Sequence, residues 1–402
     1  MNKLLKQLEA EESDLIETRN YLHLHPELSG EEINTLALIS QRLTDMDIPY
    51  TEIEKGGILA ELTNGIGGKT VLLRADMDAL PVQESSCNLV RAKKVVSKNG
   101  GVSHVCGHDA HTAMLLTAAK LLRARISELN GTVLLCFERA EEGGGPGHSF
   151  GVKQILRYMD RNNIRPDSCF ALHVDPRLDT GKLSVERGGV MAGSFGFEIS
   201  IKGTGGHGSR PDLANNPLDC FTAFYQSLAA IRLRKISPYG LLTFSIPLVR
   251  TGTLGNLIDS ELYFEGTARS LDIKSLEIFR DSFLNQLEHF TAAFGCEYRT
   301  ELIYLEAPLC NDAEVADNAR GVVKEMFGDD HYQAIEPNLG SESFADYTYR
   351  FPGAMAFLGI RNEELGSGAG LHADNFDIDE NALKYGAGVL AGYALNELTD
   401  KN

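Results

Sequence analysis

Three apolar runs in this chain stop at an ionisable residue, and that punctuation restricts the available folds more than any other feature. TVLLRAD ends at Asp76, GTVLLCF is soon followed by Glu141 and Glu142, and SCFAL runs straight into His173. Short continuous apolar runs read as strands buried on both faces, the habit of a parallel sheet covered by helices. In open α/β sheets functional groups gather beyond the carboxyl ends of the strands, so residues distant in sequence can converge there.

The rest of the pattern alternates accordingly. An opening helix is followed by GILAEL, TVLLRAD, an Ala/Leu-rich helix from about 109 to 125, GTVLLCF, a helix near 150 to 160, and SCFALHV. It resumes near Asn311 with a helical segment, the strand-like AMAFLGI and a closing helix from ENALKYGAGVL onward. Between these lie the alternation of Phe195, Phe197, Ile199 and Ile201, a helix over 216–232, two strands, a second helix and a last strand, which is the β-α-β-β-α-β order of a split βαβ unit. The expected architecture is α/β, a mostly parallel sheet covered by helices, with an inserted α+β lid or dimerisation domain. The catalytic domain is then discontinuous, 1–188 plus 307–402, and the insertion is 189–306.

A length of 402 residues suits two domains. The formal net charge of −18 and the lack of a long basic run argue against nucleic acid as a partner. The first residues, MNKLLKQLEAEESDLIETRNYL, carry too many charges for a signal peptide or a membrane span, so a cytoplasmic location is expected. Seven scattered cysteines without CxxC pairs argue against a disulfide scaffold. Cys136 and Cys169 fall within strand patterns and read as small buried hydrophobes. Cys106 differs because of its neighbours.

Cys106-Gly-His108-Asp109-Ala-His111 opens the Ala/Leu-rich helix, with Asp109 as its expected N-cap. Together with Glu142, His173 and His372, which follows a Gly-rich loop, Cys106 and His108 offer thiolate, imidazole and carboxylate, the ligand types that hold a borderline divalent cation such as zinc or manganese. Metal-assisted hydrolysis needs one carboxylate on the metal and one free to take a proton, which an adjacent Glu141-Glu142 pair could supply. Adjacent side chains diverge in a regular strand, so the chain must leave extended geometry there, and the glycines of EEGGGPG permit that. Asp76 and Asp78, two apart at a strand end, would project to one side, and either could orient an imidazole ligand. His111 is a candidate for a supporting or capping role, and His104 for a structural one. A cysteine-protease reading, with Cys106 as nucleophile, leaves the Glu141-Glu142 pair without a task.

RADMDALPVQE, HVCGHDAHTAMLLTAAKLL, AEEGGGPG, ALHV, GTGGHGSRP, GTAR, GSESF and LHADNFDIDENAL occur in that order from about His25 to Leu383. This set resembles the hippurate hydrolase and indole-acetyl-amino-acid hydrolase branch of the aminoacylase/carboxypeptidase metallopeptidases. The resemblance implies a zinc-peptidase-like catalytic domain and two divalent ions per subunit, manganese or zinc, with cobalt or nickel as further candidates. Cys106 would bridge the ions, and His108, Glu142, His173 and His372 would complete their ligands. Glu141 would be the general base and Asp78 the carboxylate that orients a ligand. His207, Asn256 and Arg269 match positions that hold a substrate carboxylate or developing oxyanion, with the histidine supplied across a homodimer formed through the lid. The implied reaction is cleavage of an N-acyl amino acid, a small-molecule substrate, to a carboxylic acid and a free amino acid.

The chain departs from the family's usual residues at Glu138 and Arg139 (FERAEE for FQPAEE), at Asp259 for proline, at Ser343 for an acid, and over 91–101, RAKKVVSKNGG. These departures are expected near the pocket, where they would tune the substrate. Two other readings share the site: a dipeptidase or carboxypeptidase, and a non-catalytic binding protein, which would have no chemical need for Glu141. Oxidation of Cys106 once metal is lost would make the site redox-sensitive.

Overall fold

The computed structural model describes residues 2–143 and 150–399. The chain divides into two compact units, Met1–Gly188 with Cys310–Glu336 and Ser343–Asn402, and Gly189–Leu309 with Pro337–Glu342. In the first unit, α1 (Asn2–Leu24), α2 (Ile33–Asp45), β1 (Tyr50–Ile53), β2 (Gly57–Thr63), β3 (Lys69–Asp76), α3 (His108–Arg123), β4 (Gly131–Glu138), α4 (Phe150–Arg161), β5 (Ser168–Asp179) and β6 (Leu183–Ser184) follow one another. The second unit supplies β7 (Gly193–Lys202), α5 (Pro217–Arg234), β8 (Leu242–Arg250), β9 (Glu261–Ser270), α6 (Ile273–Ala293) and β10 (Glu297–Glu306). The chain returns to the first unit with α7 (Ala313–Phe327), β11 (Gly353–Arg361) and α8 (Leu383–Leu398).

The sheet of the first unit has the order β1-β2-β4-β3-β5-β11-β6. Its three central pairings, β4 with β3, β3 with β5 and β5 with β11, are parallel, and the outer ones are antiparallel. The protein is thus α/β with a mixed, mostly parallel central sheet. GILAEL, in β2, runs antiparallel to β4, which its apolar run alone did not reveal. In β3, β4 and β11 nearly every side chain is buried, as strands covered on both faces require. Helices α3 and α8 are buried almost all round because they pack into the middle of this core. Gly386 brings them close: a Cβ there would run into the Met114 sulfur.

Parallel pairing also sets the site. It puts Asp76 opposite Glu138 and His173 opposite Phe357, so the carboxyl ends of β3 and β4 are level, with the loops that follow them side by side. Asp109 is not the N-cap of α3. The helix starts at His108 with Gly107, at φ +91°, in the cap position, and Asp109 is buried inside the first turn against Arg19 and His23.

In the second unit the strands lie in the order β8-β9-β7-β10, every pairing antiparallel, with α5 and α6 packed on the sheet. The alternation of β7 buries Phe195, Phe197, Ile199 and Ile201 against Phe224, Phe264, Phe279 and Phe283. The segment Pro337–Glu342 belongs to this unit rather than to the first, where sequence position had put it. The amide of Ala192 donates to the Asn338 carbonyl and that of Asn338 to the Val190 carbonyl, so backbone pairing outweighs proximity in sequence. Among the described residues no helix is long and apolar enough to cross a membrane.

Candidate functional site

Three buried histidines near the strand ends are sorted by what their second ring nitrogen does. The His173 Nδ1 donates to the Val174 carbonyl at 2.7 Å, which leaves Nε2 as a lone pair, 3.6 Å from the Cys106 sulfur. His108 has its Nδ1 on the Asp78 carboxylate at 3.0 Å, while its Nε2 is buried without a hydrogen-bond partner. His111 has no spare nitrogen: its Nδ1 donates to Asp76 at 2.6 Å and its Nε2 accepts the Val174 amide at 2.9 Å. A ring nitrogen fixed by a carbonyl or carboxylate on one side presents its other nitrogen as a ligand. His108 and His173 therefore each keep a ring nitrogen available to a ligand, and His111 keeps none. Asp76, His108 and His111 lie close enough together to suggest a cation site of their own, but the bonds of His111 and the Arg74 guanidinium on Asp76 leave no room for one there.

Ligand atoms of Cys106, His108 and His173, of Cys106, Glu142 and His372, and of His108, Glu141 and Glu142 form overlapping groups, each within 4.8 Å. The second group depends on two strained residues. Ala140, at φ +52°, turns the chain out of β4 two residues after Glu138, so that Glu141 and Glu142 need not diverge as strand neighbours. The departure from extended geometry is thus made before the glycines; Gly144, Gly145 and Gly147 lie outside the described residues. His372, at φ +66°, is held by its amide on the Val105 carbonyl, and its Nε2 stands 3.1 Å from Glu142 Oε1. That oxygen is buried and makes no hydrogen bond in line with the ring. Strain of this sort, about 1–3 kcal/mol per residue, survives where the surroundings over-determine it.

Asp78 links the groups. Besides His108 it accepts the Ser29 hydroxyl at 2.5 Å and the Glu142 amide at 2.9 Å. Glu141 is held from the opposite side, by the Ser343 amide at 2.9 Å. Burial pushes the Cys106 thiol well above its usual range, with the Glu142 charge adding to it. Burial would raise the Asp78 carboxyl, yet the hydrogen bond and charge of His108, with Ser29 and the Glu142 amide, leave it lowered. His111 is pushed down to about 4, chiefly by burial, and is neutral. The adjacent Glu142 carboxylate raises the pKa of His372. A divalent ion bound here would compete with protons for the thiol and imidazole ligands. A buried His108 Nε2 with no hydrogen-bond partner and a buried Glu142 oxygen ion-paired with His372, beside a thiol and the His173 imidazole, fit such an ion.

The other candidates lie in the second unit. His207 pairs across a short antiparallel bridge with Leu257, next to Asn256, whose carbonyl accepts the Gly208 amide. His207 is exposed, and its Nδ1 accepts the Ser209 amide at 3.1 Å and lies 2.8 Å from the Ser209 hydroxyl, which leaves Nε2 as the nitrogen able to donate. Arg269 lies on β9, bonded to Thr267.

Several departures expected at the pocket are taken up in buried bonds, although Ser343 also reaches the site through its amide on Glu141. Glu138 and Ser343 bond to one another in a buried ring with Arg74, and Arg139 pairs with the buried Glu32. Lys93, in the basic 91–101 stretch, is buried against Glu84. Arg74 and Glu32 were not singled out from the sequence. A guanidinium inside the apolar run VLLRAD was the available signal, because a buried cation needs acids around it.

An α/β sheet with thiol, imidazole and carboxylate groups gathered beyond its parallel strands defines a metallohydrolase. The sequence matches Peptidase family M20/M25/M40 over residues 72–396, and the chain belongs to that family. It is 33% identical to thermostable carboxypeptidase 2 of Saccharolobus solfataricus, over 96% of each chain. To an IAA-amino acid hydrolase (ILR1-like 5) of Arabidopsis thaliana it is also 33% identical, over 96% of this chain and 87% of the relative. The crystal structure of a dinuclear metal-binding M20 peptidase from Bacillus subtilis superposes with a TM-score of 0.80 at 28% identity, over 96% of this chain and 98% of the other. The protein is accordingly a metal-dependent hydrolase acting on amides, with a centre for two divalent ions.

Proposed function

We propose that the protein hydrolyses N-acyl amino acids to a carboxylic acid and a free amino acid, using manganese or zinc. The observation that carries this is the division of labour between adjacent carboxylates: Glu142 turns a buried oxygen to His372 at 3.1 Å, while Glu141 accepts the Ser343 amide. In this reading Cys106, His108, Glu142, His173 and His372 would hold the two ions. The chemistry such ions supply is acidification of a water and polarisation of an acyl oxygen. Glu141 takes the proton of the attacking water and passes it to the leaving amine nitrogen. Asp78 keeps the His108 ring in the tautomer that offers Nε2, and holds the Glu142 backbone in place. His207 through Nε2, with Asn256 and Arg269, binds the substrate carboxylate or the developing oxyanion. A cytoplasmic homodimer paired through the second unit is the assembly this reading carries.

The likeness to a carboxypeptidase supports a second reading, a dipeptide as the acylated amino acid. Amino acid release from N-acetyl, N-benzoyl and indole-acetyl amino acids and from dipeptides, with metal-free protein reloaded with manganese or zinc, separates the two. Turnover of acyl amino acids alone is the expected result. Turnover of dipeptides alone moves the function to the second reading, and no turnover with metal bound points to an acyl group outside the panel or to a non-catalytic binding protein.

A further inference from the structure

Behind Glu141 lies a buried polar ring that the proposed reaction does not yet use. The Arg74 guanidinium, 2% exposed, donates from Nε to Glu138 at 3.1 Å, from Nη1 to Asp76 at 2.6 Å and from Nη2 to the Ser343 hydroxyl at 2.7 Å. Ser343 donates that hydroxyl to the other oxygen of Glu138 at 2.7 Å. A hydroxyl has one proton to give and lone pairs to receive with, so both bonds are satisfied together and the ring closes. Ser343 is also the residue whose amide, 2.9 Å away, holds the Glu141 carboxylate. Residues 138 and 141 are thus joined twice, along the chain and through residue 343. The link along the chain is itself fixed, because buried Glu32 accepts the Ala140 amide and the Arg139 side chain, each at 2.8 Å.

We propose that Arg74, Glu138 and Ser343 are positioning residues that fix the carboxylate of Glu141, an assignment that rests on Glu141 being the general base. A glutamate has three side-chain torsions to restrain, and a misplacement of about 1 Å can cost on the order of 100-fold in rate. The backbone donor on Glu141 is only as rigid as residue 343, and residue 343 is anchored by its hydroxyl in the ring. Glu138→Gln removes one carboxylate from the ring and turns an acceptor into a donor opposite Ser343. Buried hydrogen-bond networks fail as units when one member is mismatched, so the anchor of Glu141 loosens while the metal ligands keep their own bonds.

The test compares the parent with Glu138→Gln, Ser343→Ala, the double variant Glu138→Gln/Ser343→Asp, and Glu141→Gln. Each is assayed for kcat, KM and metal content, and for amide exchange of the segment 338–346 in metal-free protein. The double variant returns a carboxylate to the ring from the other side of the same hydrogen bond and leaves the residue-343 amide in place. For Glu138→Gln we expect kcat about 10- to 100-fold lower, KM and two bound ions unchanged, and faster exchange at residue 343. In the double variant kcat and exchange return to within a few-fold of the parent. A ring that merely stabilised the fold would lower metal content and thermal stability without separating kcat from KM. Should Glu138→Gln fail to fold, Ser343→Ala carries the comparison, since it removes the hydroxyl and keeps the amide. Folded single variants with parental kcat and parental exchange overturn the proposal. If Glu141→Gln itself turns over normally, the reading beneath the proposal has failed instead.

Discussion

The two units solve the problem of a stable interior in opposite ways. The second packs Phe195, Phe197, Phe224, Phe264, Phe279 and Phe283 into a wholly apolar cluster, in which the Phe197 and Phe283 rings are 4.4 Å apart, and keeps its candidate substrate residue His207 exposed. The first buries Arg19, His23, Arg74, Asp76, Asp78, Glu84, Lys93 and Asp109 beside an apolar core of its own. Burying charge costs several kcal/mol per ion unless it is paired and hydrogen-bonded. The first unit meets that cost with hydrogen bonds and ion pairs, so its polar interior serves the placement of a few atoms and stabilises the fold only while those pairs stay charged. The second unit, free of that burden, is held by aromatic packing.

That contrast can be broken most severely at Glu141. Glu141→Gln should lower turnover by about 10²- to 10⁴-fold, the span of general-base catalysis, with two ions still bound by elemental analysis. Phe283→Ala should act in the reverse sense. It opens a cavity among Phe195, Phe197, Phe224 and Phe279 and should cost the second unit about 3–5 kcal/mol in urea unfolding. Its metal content should stay unchanged.

A smaller effect should come from pH. Burial would raise the Glu84 carboxyl, but His23, Lys93 and the Ser97 amide hold it down at about 2, against an ordinary 4.5. A lowered carboxyl stabilises the fold above its unfolded value and loses that contribution as protons bind, so thermal stability of the metal-free protein should fall between pH 4.5 and about 2. Glu84→Gln should flatten that limb. The smallest effect on stability belongs to His207→Ala. It should leave the melting temperature within about 1 °C, as exposed positions do, and still raise KM or lower kcat.

Much of the layout was legible because it is written in local pattern. TVLLRAD, GTVLLCF and SCFALHV each form the strand their apolar runs call for, and β7 turns Phe195, Phe197, Ile199 and Ile201 together into the aromatic core. What was not legible depends on bonds between distant residues. Glu138 and Ser343, 205 positions apart, share one hydrogen bond, and each alone looked like a difference at a pocket. The turn at Ala140 carries no glycine or asparagine to announce it, because its strain is held by Glu32, more than a hundred residues away. Asp109 has the residue type of a cap, but Arg19 and His23 claim its carboxylate. Pro337–Glu342 follows its pairing partner at Val190 and Ala192, not its neighbours in sequence.

Anomalous scattering from crystals soaked in manganese or zinc tests the central claim most directly. The account predicts two peaks per chain, enclosed by the Cys106 sulfur, the Nε2 atoms of His108, His173 and His372 and the Glu142 carboxylate, with the Glu141 carboxylate outside both coordination shells. A single peak, or peaks bound by Asp76 and His111 with Cys106 left free, would contradict it.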